Sequence, residues 1–342
     1  MHKKTFLFSL LSFFVVLFIS CSDNEDSTPK KPTVYAVGYM YNGTNAYVAT
    51  LWKNGKATFL GTSHSRAFSV YVNGKDVYVA GYEDQGTKRV AKIWKNGVAT
   101  SLTDGSKNAI AESIYVYGND VYVAGFEYDG TDYLAKVWKN GIATPLTSGT
   151  EKTIAYSVCV YNNDVYVAGE IYKGAFNTVA VLWKNGVATN LVNSIYPSSA
   201  RSVMVSNNDV YVAGSKENGV DYIATIWKNG TETPLAPESN NSFANSVFIT
   251  ENNVFVAGSQ MVENKQTARA WKNNAITSLT SGNLPSLATD IFVSGTDIYV
   301  TGYEHDGPGF NPNYKGKIWK NGNVILTVNS IEDSEIYSIF VK

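Results

Sequence analysis

The chain is short of cysteine, histidine and net charge, and each shortage removes a class of protein. Its 342 residues include two cysteines and three histidines. Cys21 belongs to an N-terminal leader, which leaves Cys159 without a partner and excludes a disulfide-stapled scaffold. Cys159 takes a position filled elsewhere by Tyr71, Met204 and Phe248, so it reads as a small buried hydrophobe. No His-x-x-x-His or Cys-x-x-Cys spacing occurs, and no metal is expected. Neither a Gly-x-Ser-x-Gly elbow nor a phosphate loop occurs, and no cofactor is expected. The formal net charge of −1 leaves no basic surplus to neutralise phosphates, which argues against a nucleic-acid partner. Helical periodicity is missing beyond the leader.

The leader begins with basic Met1-His2-Lys3-Lys4 and continues as an apolar run from Thr5 to Ile19. Such a run is too short for a comfortable membrane span but suits a secretory signal. It ends in Phe18-Ile19-Ser20-Cys21, which resembles the lipobox of bacterial lipoproteins. The resemblance implies a signal peptide over residues 1–20 and lipidation of Cys21. Acyl chains contribute about 0.8 kcal/mol per buried CH₂, so the several chains of a lipoprotein cysteine form a lasting membrane anchor. Ser22 at the next position implies the outer membrane. Asp23-Asn24-Glu25-Asp26 resembles a surface-export signal, and reads equally as a solvated tether. Residues 21–33 are polar and proline-bearing, with nothing to bury.

What the chain has in plenty is one tetrapeptide. Trp-Lys-Asn-Gly begins at Trp52, Trp94, Trp138, Trp183, Trp227 and Trp319, and Trp271 opens a copy ending in Asn274. These are all seven tryptophans, at spacings of 42, 44, 45, 44, 44 and 48 residues. A fixed period of this length signals a repeat architecture. Each unit reads as four short strands, a to d. In the second unit these start at Ser69, Val77, Val90 and Val98, with Asn-Gly and Asp turns between β-branched and aromatic alternation. Four antiparallel strands per repeat make a propeller blade. The chain from Val34 opens on a b strand and closes on an a strand, Ser338-Ile339-Phe340-Val341. The expectation is an all-β, seven-bladed β-propeller over 34–342, its ring closed when the last strand completes the first blade. Closure removes exposed sheet edges. Sevenfold identity of the tryptophans favours packing between blades over sugar stacking. The repeated lysines, Lys53 to Lys320, read as a solvated ring.

The pattern Ala-x-Ile-Trp-Lys-Asn-Gly, then Leu, then Asn-x-x-Val-Tyr-Val-Ala-Gly is similar to the extracellular HAF-type repeats. The likeness covers residues 34–341, although the Leu-Gly of that pattern appears only at Leu60-Gly61. It implies an extracellular repeat protein and carries over no catalytic residue.

The a–b and c–d turns are tight, whereas the b–c and d–a connections are expected to run to eight residues or more. A site therefore belongs on the b–c/d–a face. One position there is diversified between fixed neighbours: Phe68, Glu112, Tyr156, Arg201, Asn245, Thr289 and Tyr337. Ala precedes it in six units and Ser follows in six. If strand a is innermost, these residues ring the channel mouth and supply polar groups and stacking faces. Drift at a tolerant position is the alternative. The connection from Glu304 to Tyr314, with His305 and Asp306, is a secondary candidate. Glu83, Glu127 and Glu304 follow strand b and read as solvated acids, though paired acids on such loops could serve glycoside hydrolysis.

Three functions stay open at this level. The leading one is a monomeric, non-enzymatic binding module for a glycan or protein partner, held to the membrane by its lipid. The others are a polysaccharide-degrading lyase or glycosidase and a structural subunit of an envelope complex.

Overall fold

A computed structural model describes residues 31–44, 46–147, 151–174, 177–235, 241–251, 253–308 and 313–342. The signal segment and Cys21 lie outside the described residues. From Thr33 to Lys342 the chain forms one compact unit. It contains seven four-stranded antiparallel sheets in a ring. No helix among the described residues is long and apolar enough to cross a membrane.

Blade 2 shows the pattern, with strands a to d at Ser65–Asn73, Asp76–Gln85, Lys88–Lys95 and Val98–Ser101. Blade 1 is split: Ser334–Val341 pairs antiparallel with Val34–Tyr41, so the C-terminal strand closes the ring. The a strands of blades 3 to 7 are Ala109–Tyr117, Thr153–Tyr161, Ser198–Ser206, Ser242–Thr250 and Ser286–Ser294. They are innermost, packed on one another around the axis, while the d strands are exposed apart from half-buried Leu326 in the last of them, Asn323–Thr327.

The Trp-Lys-Asn-Gly tetrapeptide has a separate task for each residue. The Trp side chain is buried against the preceding blade: Trp138 packs with Tyr78, Ala80 and Ala91. The Asn and Gly take positive φ, 51° and 82° at Asn96-Gly97, as the hairpin turn demands. Asn274 takes φ 68° where the sister blades have Gly. The Asn side chain also accepts from an amide near the start of strand b, as Asn96 Oδ1 does from Val77 N at 2.9 Å. Its Nδ2 donates to the Asp at that strand's start, Asp76, at 2.8 Å. The lysines form a mainly exposed ring, and five of them are also ion-paired. Lys95 pairs with Asp76 at 2.8 Å and lies over the Tyr78 ring, because the hairpin brings strand ends together. Lys139, Lys184, Lys228 and Lys320 repeat the ion pair.

Two expectations about lengths need correction. The a strands begin four residues earlier than Ser69 and its equivalents. The b–c hairpins are also tighter, since strands b and c extend through the polar residues and leave only Gly86 and Thr87 between them in blade 2. The second arises because the b–c ladder runs unbroken through polar residues as far as Gln85 opposite Lys88, and the first has a different cause. Every a strand carries a bulge at the residue before the Ser, so the inward alternation slips phase between Ala67 and Val70.

The bulge explains a glycine. Opposite it stands Gly81, and a Cβ there would lie 2.0 Å from the carbonyl oxygen of Arg66. The same approach, at 1.8 to 2.0 Å, recurs at Gly38, Gly125, Gly169, Gly214, Gly258 and Gly302. The Ser after the bulge ties blades together. Ser69, Ser113, Ser157, Ser202 and Ser338 each accept, through Oγ, a backbone N–H of the next inner strand at 3.1 to 3.3 Å. Asp290 stands in this ring for Ser and accepts from Ile339 N at 2.9 Å.

Candidate functional site

The seven diversified residues are the seven bulge residues, and all of them line one cavity of about 340 Å³ on the axis. A bulge leaves its residue without a partner across the ladder and re-aims its side chain. The fold thus turns seven repeat-equivalent positions toward one space on the axis.

Their environments differ. Arg201 is open to the cavity, and its guanidinium lies 4.1 Å over the ring of Tyr156. Tyr156 is fixed in turn by donating its hydroxyl to Glu170 at 2.8 Å. Burial and the Glu170 carboxylate push the Tyr156 hydroxyl well above its ordinary range, with Arg201 pulling the other way. It therefore stays a neutral donor. Neither Arg201 nor Glu112 has a hydrogen-bond or ion-pair partner among the described residues. Burial pushes the Glu112 carboxyl up to about 7, opposed by the charge of Arg201. Near neutral pH it can both donate and accept.

The opposite wall is aromatic. Phe68 and Tyr337 meet at 5.1 Å between centroids, and Tyr337 meets Tyr39 at 5.9 Å. Arg66 lies 4.4 Å over Tyr39 and donates to the Tyr337 hydroxyl at 3.3 Å. Tyr39 donates to Glu335 at 2.6 Å. Toward the a–b turns, Phe248, Phe292, Phe340, Tyr71 and Tyr115 form a near-continuous run of ring contacts between inner strands. Cys159 continues that position. It is buried, and burial pushes its thiol up to about 11, which leaves it unreactive.

Two of the seven side chains hold blades together. Asn245 Nδ2 donates to the Ala288 carbonyl at 2.9 Å, and Thr289 Oγ1 donates to the Ile336 carbonyl at 2.8 Å. Asp290, also on the wall, accepts from Ser246 Oγ, Ile291 N and Ile339 N. The free chemistry of the cavity is thus Glu112, Arg201 and the Phe68–Tyr337 face, with the Tyr156 hydroxyl oxygen left as an acceptor.

The secondary candidates lie elsewhere. His305 packs edge-on against Tyr314, and Asp306 pairs with Lys315 at 3.4 Å. Residues 309–312 of that connection lie outside the described residues. Glu83 is not a solvated acid but pairs with Lys92 at 3.1 Å, mostly buried. Glu127 with Lys136 and Glu304 with Lys317 repeat the pair. Sequence reading missed Glu170, Arg66 and Glu335. Each is a charge where the sister blades carry mainly apolar or small residues, such as Tyr82 and Phe126 for Glu170. That departure is the signal that could have found them.

The fold and cavity define the class: a seven-bladed β-propeller, an architecture consistent with a binding or structural module. No protein-family model matches the chain, and no curated protein matches it. The HAF-type likeness therefore remains one of quoted motifs. Among solved structures, the β-propeller domain of the Trilobed protease from Pyrococcus furiosus, described as having an open velcro topology, is similar with a TM-score of 0.54. Identity is 11%, over 87% of this chain and 92% of that one. TolB from Acinetobacter baumannii gives a TM-score of 0.49 at 12% identity over 71% of this chain. The match spans 62% of that TolB chain. At such identities the likeness concerns the fold alone.

Proposed function

We propose that this propeller is a non-enzymatic binding module whose ligand is a glycan, seated in the axial cavity on the d–a face. In this reading a lipid on Cys21 holds the protein at the outer membrane, and the repeats are extracellular ones of HAF type. The observation that carries it is the convergence of seven diversified bulge residues on one cavity while the residue on either side is the same in six of seven units. The Phe68–Tyr337 face offers a stacking surface for a sugar ring, and Glu112 and Tyr156 offer hydrogen bonds to hydroxyls. Arg201, placed over the Tyr156 ring with its donors free, suits a sugar that carries a carboxylate.

One observation favours a second reading, a polysaccharide-degrading enzyme. Glu112, near 7, is poised for proton transfer at neutral pH. Glycoside hydrolysis needs a second free carboxylate, and Asp290 is committed to three hydrogen bonds. A glycan array probed with the purified protein, each hit then incubated and checked for shortened products, separates the two. Binding without cleavage supports the module; cleavage lost in Glu112→Gln supports the enzyme. Silence across neutral and acidic glycans refutes both and points to a protein partner.

A further inference from the structure

A second pocket, which shares no lining residue with the axial cavity, sits in the wedge between blades 6 and 7. It has a volume of about 230 Å³ and is walled by Phe255, Leu279, Ile291, Ile298 and Val300. Two departures from the repeat meet there. The residue before the Trp points into the next blade's interface, and it is Leu51, Ile93, Val137, Leu182, Ile226 or Ile318 in six blades. In blade 6 it is Ala270, which lines the pocket. The missing carbons belong to a wall that is otherwise complete.

The second departure is electrostatic. Lys272 stands at the same pocket. In five blades the equivalent lysine pairs with the Asp that opens strand b. Blade 6 has Asn253 in place of that Asp. Asn253 keeps the wiring of the turn, accepting from Asn273 Nδ2 at 2.9 Å, but removes the charge. Lys272 lies 5.4 Å over the Phe255 ring, without an acid partner among the described residues. Lys53 of blade 1 also lacks the Asp, yet there Leu51 retains the large side chain. Only in blade 6 do an emptied apolar wall and an unpaired ammonium coincide.

We propose that this wedge binds a small amphipathic carboxylate, its alkyl or aromatic body in the pocket and its carboxylate on Lys272. The size fits: an apolar cavity of about 150 Å³ is enough for benzene. The chemistry also fits, since an apolar body fills the slot and the exposed Lys272 ammonium beside it, without an acid partner among the described residues, can pair with an anion. The site is independent of the axial cavity, and it stands or falls apart from the glycan reading.

Hexanoate is the probe and hexan-1-ol the uncharged control, followed by calorimetric titration and by the thermal midpoint of the purified protein. Hexanoate should bind and raise the midpoint, with hexan-1-ol weaker by roughly fivefold, the ratio a partly exposed ion pair yields. Lys272→Met, which keeps the stem, should bring hexanoate down to the level of the alcohol. Ala270→Ile restores the sister-blade residue, so it should fold at least as well as wild type and lose the response to both. Absence of hexanoate binding to the wild type, equal affinity for acid and alcohol, or an unchanged response in Ala270→Ile would each overturn the proposal.

Discussion

Substituting Gly125 by Ala puts the bulge geometry to a quantitative test. The new Cβ would lie 2.0 Å from the carbonyl oxygen of Ile110 and 3.1 Å from the Cα of Ala111. Carbon and oxygen approach no closer than about 3.3 Å in favourable contacts, so the inner strand must retreat by roughly 1.3 Å. A ladder hydrogen bond stretched that far is lost. Two lost bonds at about 1 kcal/mol each, with about 1–3 kcal/mol of overpacking, give a cost near 4 kcal/mol. Opposing this, Ala stiffens the unfolded chain and is worth about 0.4–1 kcal/mol over Gly where no clash exists. The clash wins, for a net loss of about 3 kcal/mol. At roughly 2 °C per kcal/mol for a large domain, the thermal midpoint should fall by about 6 °C. Gly307 is the control, since a Cβ there meets nothing within 4 Å. Calorimetry on both variants decides the matter: a Gly125→Ala loss no larger than that of Gly307→Ala refutes the account of the bulge.

Other expectations follow from the same geometry. Strand-a Ser or Thr residues near the d–a loop, such as Ser286 and Thr153, accept the N–H of a c-strand residue in the preceding blade and meet a Thr hydroxyl. Blade 3 has Ala109 there, and Thr103 Oγ1 is buried without a partner. Ala109→Ser should therefore raise stability by about 1 kcal/mol in urea titrations, and a loss would contradict the reading. Trp138→Ala should cost about 3–5 kcal/mol by opening the interface between blades 2 and 3, against a small effect for the exposed Val98. The Glu112 carboxyl stands at about 7 in the fold against an ordinary 4.5, so its protonated form is the one the fold favours. Its contribution is full below about pH 4.5 and lost as pH rises through about 7. Glu112→Gln should gain on wild type across that window, and a flat difference between the two urea midpoints would contradict the assignment.

The ring was legible because a seven-membered register of Trp-Lys-Asn-Gly leaves few topologies, and because the chain opens on a b strand and closes on an a strand. The bulge was not, since alternation is read by its phase. A single inserted residue such as Phe68 breaks that phase and makes the strand seem to start at Ser69. The diversified position was visible by comparing repeats. Its chemistry was less so: that Asn245 and Thr289 bind carbonyls of the next blade, or that Glu170 orients Tyr156, depends on distances between segments far apart in sequence. The same comparison of repeats exposes Ala270 and Asn253, whose joint meaning appears only when the fold brings them to one wedge.

The central claim is that the axial cavity holds the ligand, and one titration tests it most directly. The acidic oligosaccharide bound most tightly in the array is titrated calorimetrically into wild type and into a variant carrying Glu112→Ala, Arg201→Ala and Tyr156→Ala, with folding checked by circular dichroism. Binding by the wild type and none by the folded variant is the expected result. Equal affinity for both would contradict the claim and place the ligand elsewhere on the propeller.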